Sequence, residues 1–324
     1  MVYIYLYFTN NQSMKPRFTI AVIHRNGLDK LTIVLNSILK VASPNDEIAV
    51  VDNNSDDNSI QIIERNKLYK NVRFIKNTCN AGYGYSCNQA MRQSQGKYFL
   101  LCNNDIELPE NCLNHFESLF ESDPAAGLIG PQMYSPKGVK MRSYGTQTPG
   151  LMSQLDLVGR PIKNKTLHAF SPVSILRGAC LAVKREMVED IGMYDEDFYF
   201  YHEETEWCVR INRSERWRVM FAPEIQISHV GGGSTNSVFA ASRIEFFRSR
   251  IIFWQKIFSG WQLGILYLWN IPKLLLDWAF YLAATILTIG LNQRLKKKLI
   301  DRSMVIAWLL LGKPNNWGLP NKCN

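Results

Sequence analysis

Four short apolar runs constrain this chain more than any other feature. They are Phe18–His24 and residues 47–51, 72–75 and 98–102. Each is short, rich in Val, Ile, Leu and Phe, and without polar alternation, so each reads as a strand buried on both faces. Helical patterns separate them. Leu28, Leu31, Val34, Leu35, Ile38 and Leu39 keep a 3.6-residue period, and residues 59–68 and 86–93 predict two further helices. Strand and helix alternating through short loops specify a parallel α/β sheet. In such sheets ligands bind beyond the carboxyl ends of the strands, and here those ends are polar. Asp52 to Asp57 follow the second run, and Asn103-Asn104-Asp105 follow the fourth.

These edges carry the parts a nucleotide needs. Asp52 is a lone carboxylate suited to accept from a base N–H or a ribose hydroxyl. Asn80-Ala81-Gly82-Tyr83-Gly84 opens a helix, where glycine lets backbone approach a ligand and the helix start favours anions. The turn is neither G-x-G-x-x-G nor a P-loop, since no G-K-[ST] follows. Asp105 is placed to hold a divalent cation that in turn holds a diphosphate, or else to cap backbone in an Asx-turn. Residues 131–172 are rich in Gly, Pro, Ser, Thr and Lys and read as surface loops. A strand over 175–183 and a short helix over 185–191 follow. The stretch from Asp195 to Arg210 then gathers six acids and five aromatics, including Phe198, Tyr199, Glu203, Glu204, Glu206 and Trp207. Acids in a first helical turn suit the helix dipole, and paired carboxylates beside aromatic walls also suit a general base of raised pKa. His229, at the end of a strand over 225–230 and before Gly231-Gly232-Gly233, is either a metal ligand or a satisfied surface histidine.

Charge divides the chain. There are 37 Lys and Arg against 28 Asp and Glu, a net charge of +9. Twelve of those bases and three of those acids lie at or beyond Arg243, leaving 25 of each before it. The excess therefore belongs to a tail rich in Trp, Leu and Ile. Residues 251–291 are largely apolar, interrupted by Asn270, Pro272, Lys273 and Asp277. The clean run 278–291 is short for a membrane span, and bases flank it on both sides. This predicts helices lying on an anionic, cytoplasmic membrane surface, with a re-entrant or spanning hairpin, or a helical packing or dimer interface, as alternatives. Bases interleaved with apolar runs argue against nucleic acid. The seven cysteines are scattered, odd in number and without C-x-x-C, which predicts no disulfide framework, no zinc site and a reducing cytosol. Residues 1–8 are too short and lack the basic start of a secretory signal. Met14, just before the first strand, is an alternative start, which makes residues 1–14 a tail outside the fold.

Over residues 20–250 these elements, in this order, resemble family 2 of the inverting glycosyltransferases, and in particular its bacterial rhamnosyltransferase-like branch. They are Val51-Asp52-Asn53-Asn54-Ser55-Asp56-Asp57, Asn80 to Gly84 with Asn88, Leu101 to Asp105, Gly178-Ala179, Gly192 to Phe198 leading into the acidic box, Pro223, and His229 to Ser234. The resemblance implies a GT-A-like, mostly parallel α/β sheet flanked by helices, with a C-terminal apolar and basic helical extension. It implies a catalytic domain over 15–242 and a membrane-associating region over 243–324. Asn26, Asp52, Asn80, Gly82, Asn88, Asn103, Asn104 and Asp105 would bind the nucleotide-sugar donor. Asp105 and His229 would hold Mg2+ or Mn2+. Glu204 would be the catalytic base, supported by Glu203. The acceptor implied is a lipid-linked glycan, met at the cytoplasmic face of the membrane. The sequence departs from the pattern at His24-Arg25, where Thr-Tyr is usual, at Glu204, where Asp is usual, and at Asn103, which leaves less charge on the metal and implies a weaker metal requirement. A nucleotidyltransferase on a similar sheet would need an early basic phosphate loop, for which Arg25 is the sole candidate. A non-catalytic membrane-bound scaffold is the third reading.

Overall fold

The structure is a computed structural model describing residues 15–155, 166–230, 239–319 and 322–323. The tail that ends at Met14, and residues 231–234 of the late histidine motif, lie outside the described residues. The first hundred residues follow the expected alternation. β1 (Phe18–His24), α1 (Leu28–Val41), β2 (Glu47–Asp52), α2 (Ser59–Arg65), β3 (Val72–Lys76), α3 (Tyr83–Arg92) and β4 (Tyr98–Asn103) succeed one another. Then come β5 (Ile106–Glu107), α4 (Cys112–Ser122), β6 (Ala126–Tyr134), β7 (Tyr144–Gly145), α5 (Leu151–Leu155), β8 (Ser171–Pro172), β9 (Ile175–Leu176), β10 (Cys180–Lys184), α6 (Arg185–Ile191), α7 (Glu203–Arg213) and β11 (Arg218–His229). Three helices end the chain: α8 (Phe239–Ile257), α9 (Gly260–Leu287) and α10 (Gln293–Leu310).

The main sheet runs β3-β2-β1-β4-β10-β6-β11-β5. β3, β2, β1 and β4 are parallel, whereas β10 is antiparallel to both its neighbours and β6 is parallel to β11. Alternate residues of β1 serve opposite faces. Ile20 and Val22 pack with Leu31, Leu35 and Phe116 of α1 and α4, and Ala21 and Ile23 pack with Ala90, Met187 and Trp207 of α3, α6 and α7. Helices on both faces are why the strands show no polar alternation.

Several expectations are corrected. α2 stops at Arg65, and Lys67–Tyr69 form a separate 3-10 turn capped by the Asn66 side chain, which accepts from Leu68 N. Residues 131–134 are not loop but the second half of β6. Pro131 faces Ala222 at the irregularity of β11 that contains Pro223, so its missing N–H falls where the ladder is already broken. α4 and the first half of β6 carry no motif, and sequence reading passed over them. The expected strand 175–183 is split at Arg177-Gly178-Ala179. β9 pairs with β7 in a small separate sheet, β10 joins the main one, and the Gly178 carbonyl between them accepts from Tyr83 Oη at 2.6 Å. α9 continues through Asn270, Pro272, Lys273 and Asp277 because neighbours hold it: it packs on α10 and α5.

The cysteines also differ from expectation. Cys79 and Cys323 are joined in a disulfide across 244 residues, and the other five are buried free thiols. Cysteine spacing cannot reveal a bridge between two such distant loops. A bridge persists where thiols are oxidised, so cysteine usage no longer argues for a reducing compartment.

Candidate active site

The carboxyl ends of β1, β2 and β4 open into one cleft of about 810 Å³. Its floor is knit by side chains from these ends. Asn53, just past β2, donates from Nδ2 to the Gly82 carbonyl at 3.2 Å and accepts on Oδ1 from Ser86 Oγ at 2.8 Å. Asn26 has φ 55°, the left-handed conformation that Asn tolerates, and its amide exchanges two bonds with Asp56. Asn104 donates from Nδ2 to His24 Nδ1 and to the Asn26 carbonyl. Gly82 has φ 89°, and a Cβ there would stand 2.3 Å from the Tyr199 carbonyl oxygen. That carbonyl accepts from Tyr83 N at 3.2 Å, so the start of α3 is pressed against the acidic stretch.

Asp105 and His229 are brought together from 124 residues apart. The two-residue strand β5 pairs antiparallel with the end of β11, with Ile106 opposite His229, and Val230 N donates to the Asp105 carbonyl. His229 Nε2 then lies 3.2 Å from Asp105 Oδ1, with both side chains mostly buried. Burial would raise the Asp105 carboxyl, but His229, through its bond and charge, and then Lys30 hold it below its ordinary value. His229 Nδ1 is buried without a hydrogen-bond partner. One carboxylate oxygen and one imidazole fit a divalent cation that takes its remaining ligands from a diphosphate and water. Among the described residues no group of three His, Cys, Asp or Glu forms a full protein cage.

α7 presents the acids. Tyr201 and His202 precede it with φ of 71° and 66°, an uncommon left-handed pair that turns the chain sharply into the helix at the cleft. Glu203 and Glu204 both line the cleft, and each has a buried Oε2 without a hydrogen-bond partner. Burial raises the Glu204 carboxyl above its ordinary range, with Arg177 opposing. Burial and then the Glu204 charge hold the Glu203 carboxyl well above its range. Gly178 leaves room for Glu204, whose Cβ would lie 3.5 Å from a Cβ at that position. Glu206 turns away to a two-point bond with Arg210 at 2.9 and 3.0 Å.

The structure therefore gathers Asn26, Asn80, Gly82, Asn103, Asn104, Asp105, Glu203, Glu204 and His229 around one cleft. Two expected donor residues stand behind its wall. Asn88 is buried and bonds the Tyr194 backbone through both ends of its amide, which fixes the acidic stretch on α3. Asp52 is buried at the end of β2, and its Oδ1 accepts from the Ser55 N–H and hydroxyl, while the next residue, Asn53, lines the cleft. Sequence reading missed Arg142 and Arg177 as cleft residues, whereas Tyr199 and Tyr201 line the cleft from the aromatic stretch it placed beside the acids. Arg177 had a signal, since it directly precedes the Gly178-Ala179 pair. Arg142 sits in the stretch read as surface loop, which carries no periodicity.

The family model described as "Glycosyl transferase family 2" matches residues 19–192, which span β1 to the end of α6 and hold most of this cleft. The chain belongs to glycosyl transferase family 2. Among relatives, it is 24% identical over 206 residues to the low-salt glycan biosynthesis hexosyltransferase Agl10 of Haloferax volcanii, covering 62% of this chain and 64% of that protein. It is 25% identical over 237 residues to the N-acetylglucosaminyl-diphospho-decaprenol L-rhamnosyltransferase of Mycobacterium tuberculosis, covering 66% and 76%. The match thus spans just under two thirds of the archaeal enzyme. Its fold is similar to that of GalNAc-T7 solved with UDP, GalNAc and Mn2+, with a TM-score of 0.59 at 14% identity over 92% of this chain and 56% of that one. It is also similar to the Pyrobaculum calidifontis mannosyltransferase PcManGT solved with GDP-Man and Mn2+, with a TM-score of 0.53 at 16% identity over 92% and 87%. This family 2 chain has the mixed α/β, GT-A-type architecture of those structures.

Proposed function

We propose that this family 2 protein is an inverting hexosyl- or rhamnosyltransferase that moves a sugar from a nucleotide-sugar to a lipid-linked glycan in surface polysaccharide synthesis. The observation that carries this reading is Glu204, a carboxylate of raised pKa with a buried, unpartnered Oε2, in the same cleft as the Asp105–His229 pair. Glu204 takes the proton from the acceptor hydroxyl as that oxygen attacks the anomeric carbon. The bond to the diphosphate breaks in the same displacement, so the configuration inverts without a covalent enzyme intermediate. Asp105 and His229 would hold Mg2+ or Mn2+, which offsets the charge developing on the departing nucleoside diphosphate. Asn26, Asn80 and the start of α3 bind the donor beside them, and Asn103 and Asn104 shape the strand end that carries Asp105.

A lipid-linked acceptor is supported by the name of the mycobacterial relative and by the tail. Residues 15–242 form the catalytic unit, and residues 243–324 lie against the cytoplasmic leaflet of an anionic membrane. Among the described residues no helix is long and apolar enough to cross a membrane, which suits a helix lying on it. The nucleotidyltransferase reading finds no support, because Arg25 is tied to the backbone, donating to the Asn53 carbonyl at 2.9 Å. The test is turnover of a nucleotide-sugar panel, dTDP-rhamnose first, with and without Mn2+. Metal-stimulated release of nucleoside diphosphate from one donor is expected. Release from none, with sugar 1-phosphate set free and the nucleotidyl group passed to an acceptor instead, would favour the nucleotidyltransferase.

A further inference from the structure

His24, the last residue of β1, is fully buried yet bonded at both ring nitrogens. Nε2 lies 2.8 Å from Ser59 Oγ, and Nδ1 lies 2.9 Å from Asn104 Nδ2. The directions of these bonds follow from their partners. Asp57 Oδ1 can only accept and takes the Ser59 hydroxyl hydrogen, while Asp57 Oδ2 takes the Gly27 N–H. Ser59 Oγ therefore offers His24 a lone pair, and the ring hydrogen is on Nε2. Nδ1 is then an acceptor and receives one Asn104 N–H. The other N–H of that amide goes to the Asn26 carbonyl at 3.1 Å. One directed chain of bonds joins the end of β4, the end of β1, the turn after it and the start of α2.

We propose that His24 is a positioning residue of the donor site: its neutral ring orients the Asn104 amide, so that the Asn26 turn and the Asn103-Asn104-Asp105 strand end form one rigid wall. The inference rests on the reading of the cleft as a donor site. The charged groups acting on the ring are Asp52, Asp57 and Lys30. Burial outweighs the two carboxylates and holds the imidazole below its ordinary pKa. A proton on Nδ1 would face the Asn104 N–H donor to donor. The amide would have to rotate and release the Asn26 carbonyl. His24, Ser59 and Asn104 are all buried, which makes such a mismatch costly.

The two amide substitutions separate the two ends of the ring. Asn places its carbonyl oxygen where Nδ1 stands and keeps the acceptor for Asn104. Gln reaches Ser59 but withdraws that acceptor. Full-length wild type, His24→Asn, His24→Gln and Asn104→Ala would be titrated calorimetrically with UDP, dTDP and GDP in the presence of Mn2+, with thermal unfolding of each in parallel. His24→Asn should bind within about threefold of wild type, and His24→Gln and Asn104→Ala should each bind about tenfold or more weakly. The double variant His24→Gln/Asn104→Ala should bind no more weakly than Asn104→Ala alone, because the amide that His24 orients is already gone. Wild-type affinity in His24→Gln overturns the inference alone. So does equal weakening of His24→Asn and His24→Gln with equal loss of melting temperature, which marks a purely structural role. If His24→Gln does not fold, wild-type affinity in Asn104→Ala overturns it. Wild type binding none of the three nucleotides overturns the reading of the cleft, and the inference with it.

Discussion

At the scale of single residues the acidic pair separates two effects that sequence reading could not. Glu203 and Glu204 are adjacent, both line the cleft with a buried Oε2, and both have a raised pKa. Only the place of Glu204 in the family pattern marked it as the base, and Glu203 was expected to support it. The structure gives Glu203 a buried Oε2 with no partner, so its charge opposes folding. A carboxyl whose folded pKa is raised contributes stability at low pH and loses it as pH rises through that pKa. Glu203→Gln, neutral at every pH, should therefore melt higher than wild type, with a gap that widens from about pH 5 to about pH 8. Thermal unfolding across that range checks it, and a gap that narrows with pH contradicts the assignment. Asp105→Asn should keep the fold but abolish stimulation by Mn2+, because the strand end loses its anionic ligand. Activity at limiting metal near the wild-type level would remove Asp105 from the metal site. The places of Asp105 and His229 at the cleft were legible because motif and strand end coincide, and that of Glu204 because the acidic box opens α7. Asn88 and Asp52 were placed among donor ligands by motif alone, and only packing shows Asn88 holding Tyr194 and Asp52 holding Ser55. His24 was legible only as a departure from the family pattern, since a buried histidine reveals its role through partners far away in sequence.

At the scale of elements, strands flanked by helices on both sides were readable, because burial on two faces leaves an uninterrupted apolar run. Elements with internal proline were not. Pro131 and Pro223 lie inside paired strands, and Pro272 lies inside a 28-residue helix, each tolerated by a neighbour or a bulge. α9 also shows why hydropathy alone misplaces a tail. Leu266 and Leu274 are buried, whereas Trp261, Ile265, Leu268, Leu276, Phe280 and Leu287 recur near the helical period on an exposed stripe. The exposed bases Arg294, Lys296, Lys297 and Lys298 follow at the start of α10. An apolar stripe beside a basic turn matches an anionic lipid surface. Leu268 is 78% exposed and Leu276 72%, so both can be changed without disturbing a core. Leu268→Glu/Leu276→Glu should lose co-sedimentation with vesicles containing anionic lipid while melting as wild type does. Unchanged co-sedimentation would show that another face meets the membrane.

At the scale of the whole molecule, the chain's end returns to its active site, which no local pattern announced. Cys323, bonded to Cys79, donates from its N–H to the Asn80 carbonyl at 3.2 Å, and Leu319 lines the cleft. The segment between α10 and Leu319 is pinned by Arg248, which donates to the Pro314 and Trp317 carbonyls, and by the buried Glu245, which accepts from Leu319 N and pairs with Lys322. Deleting the tail would thus strip a cleft wall along with α8 to α10, so point substitutions are the cleaner probe of either. Cys323→Ser, or reduction, should lower stability by about 2–4 kcal/mol, as loss of a bridge across a long loop does, and weaken nucleotide binding beside Asn80. An unchanged melting temperature would mean that the bridge contributes nothing. The central claim remains that this cleft performs base-assisted sugar transfer through Glu204. The most direct measurement is turnover and donor affinity of wild type, Glu204→Gln and Glu203→Gln with the donor that the panel identifies. The account predicts that Glu204→Gln loses on the order of 10²–10⁴ in turnover with donor affinity unchanged, while Glu203→Gln stays active. Wild-type turnover in Glu204→Gln together with a dead Glu203→Gln would contradict it and make Glu203 the base.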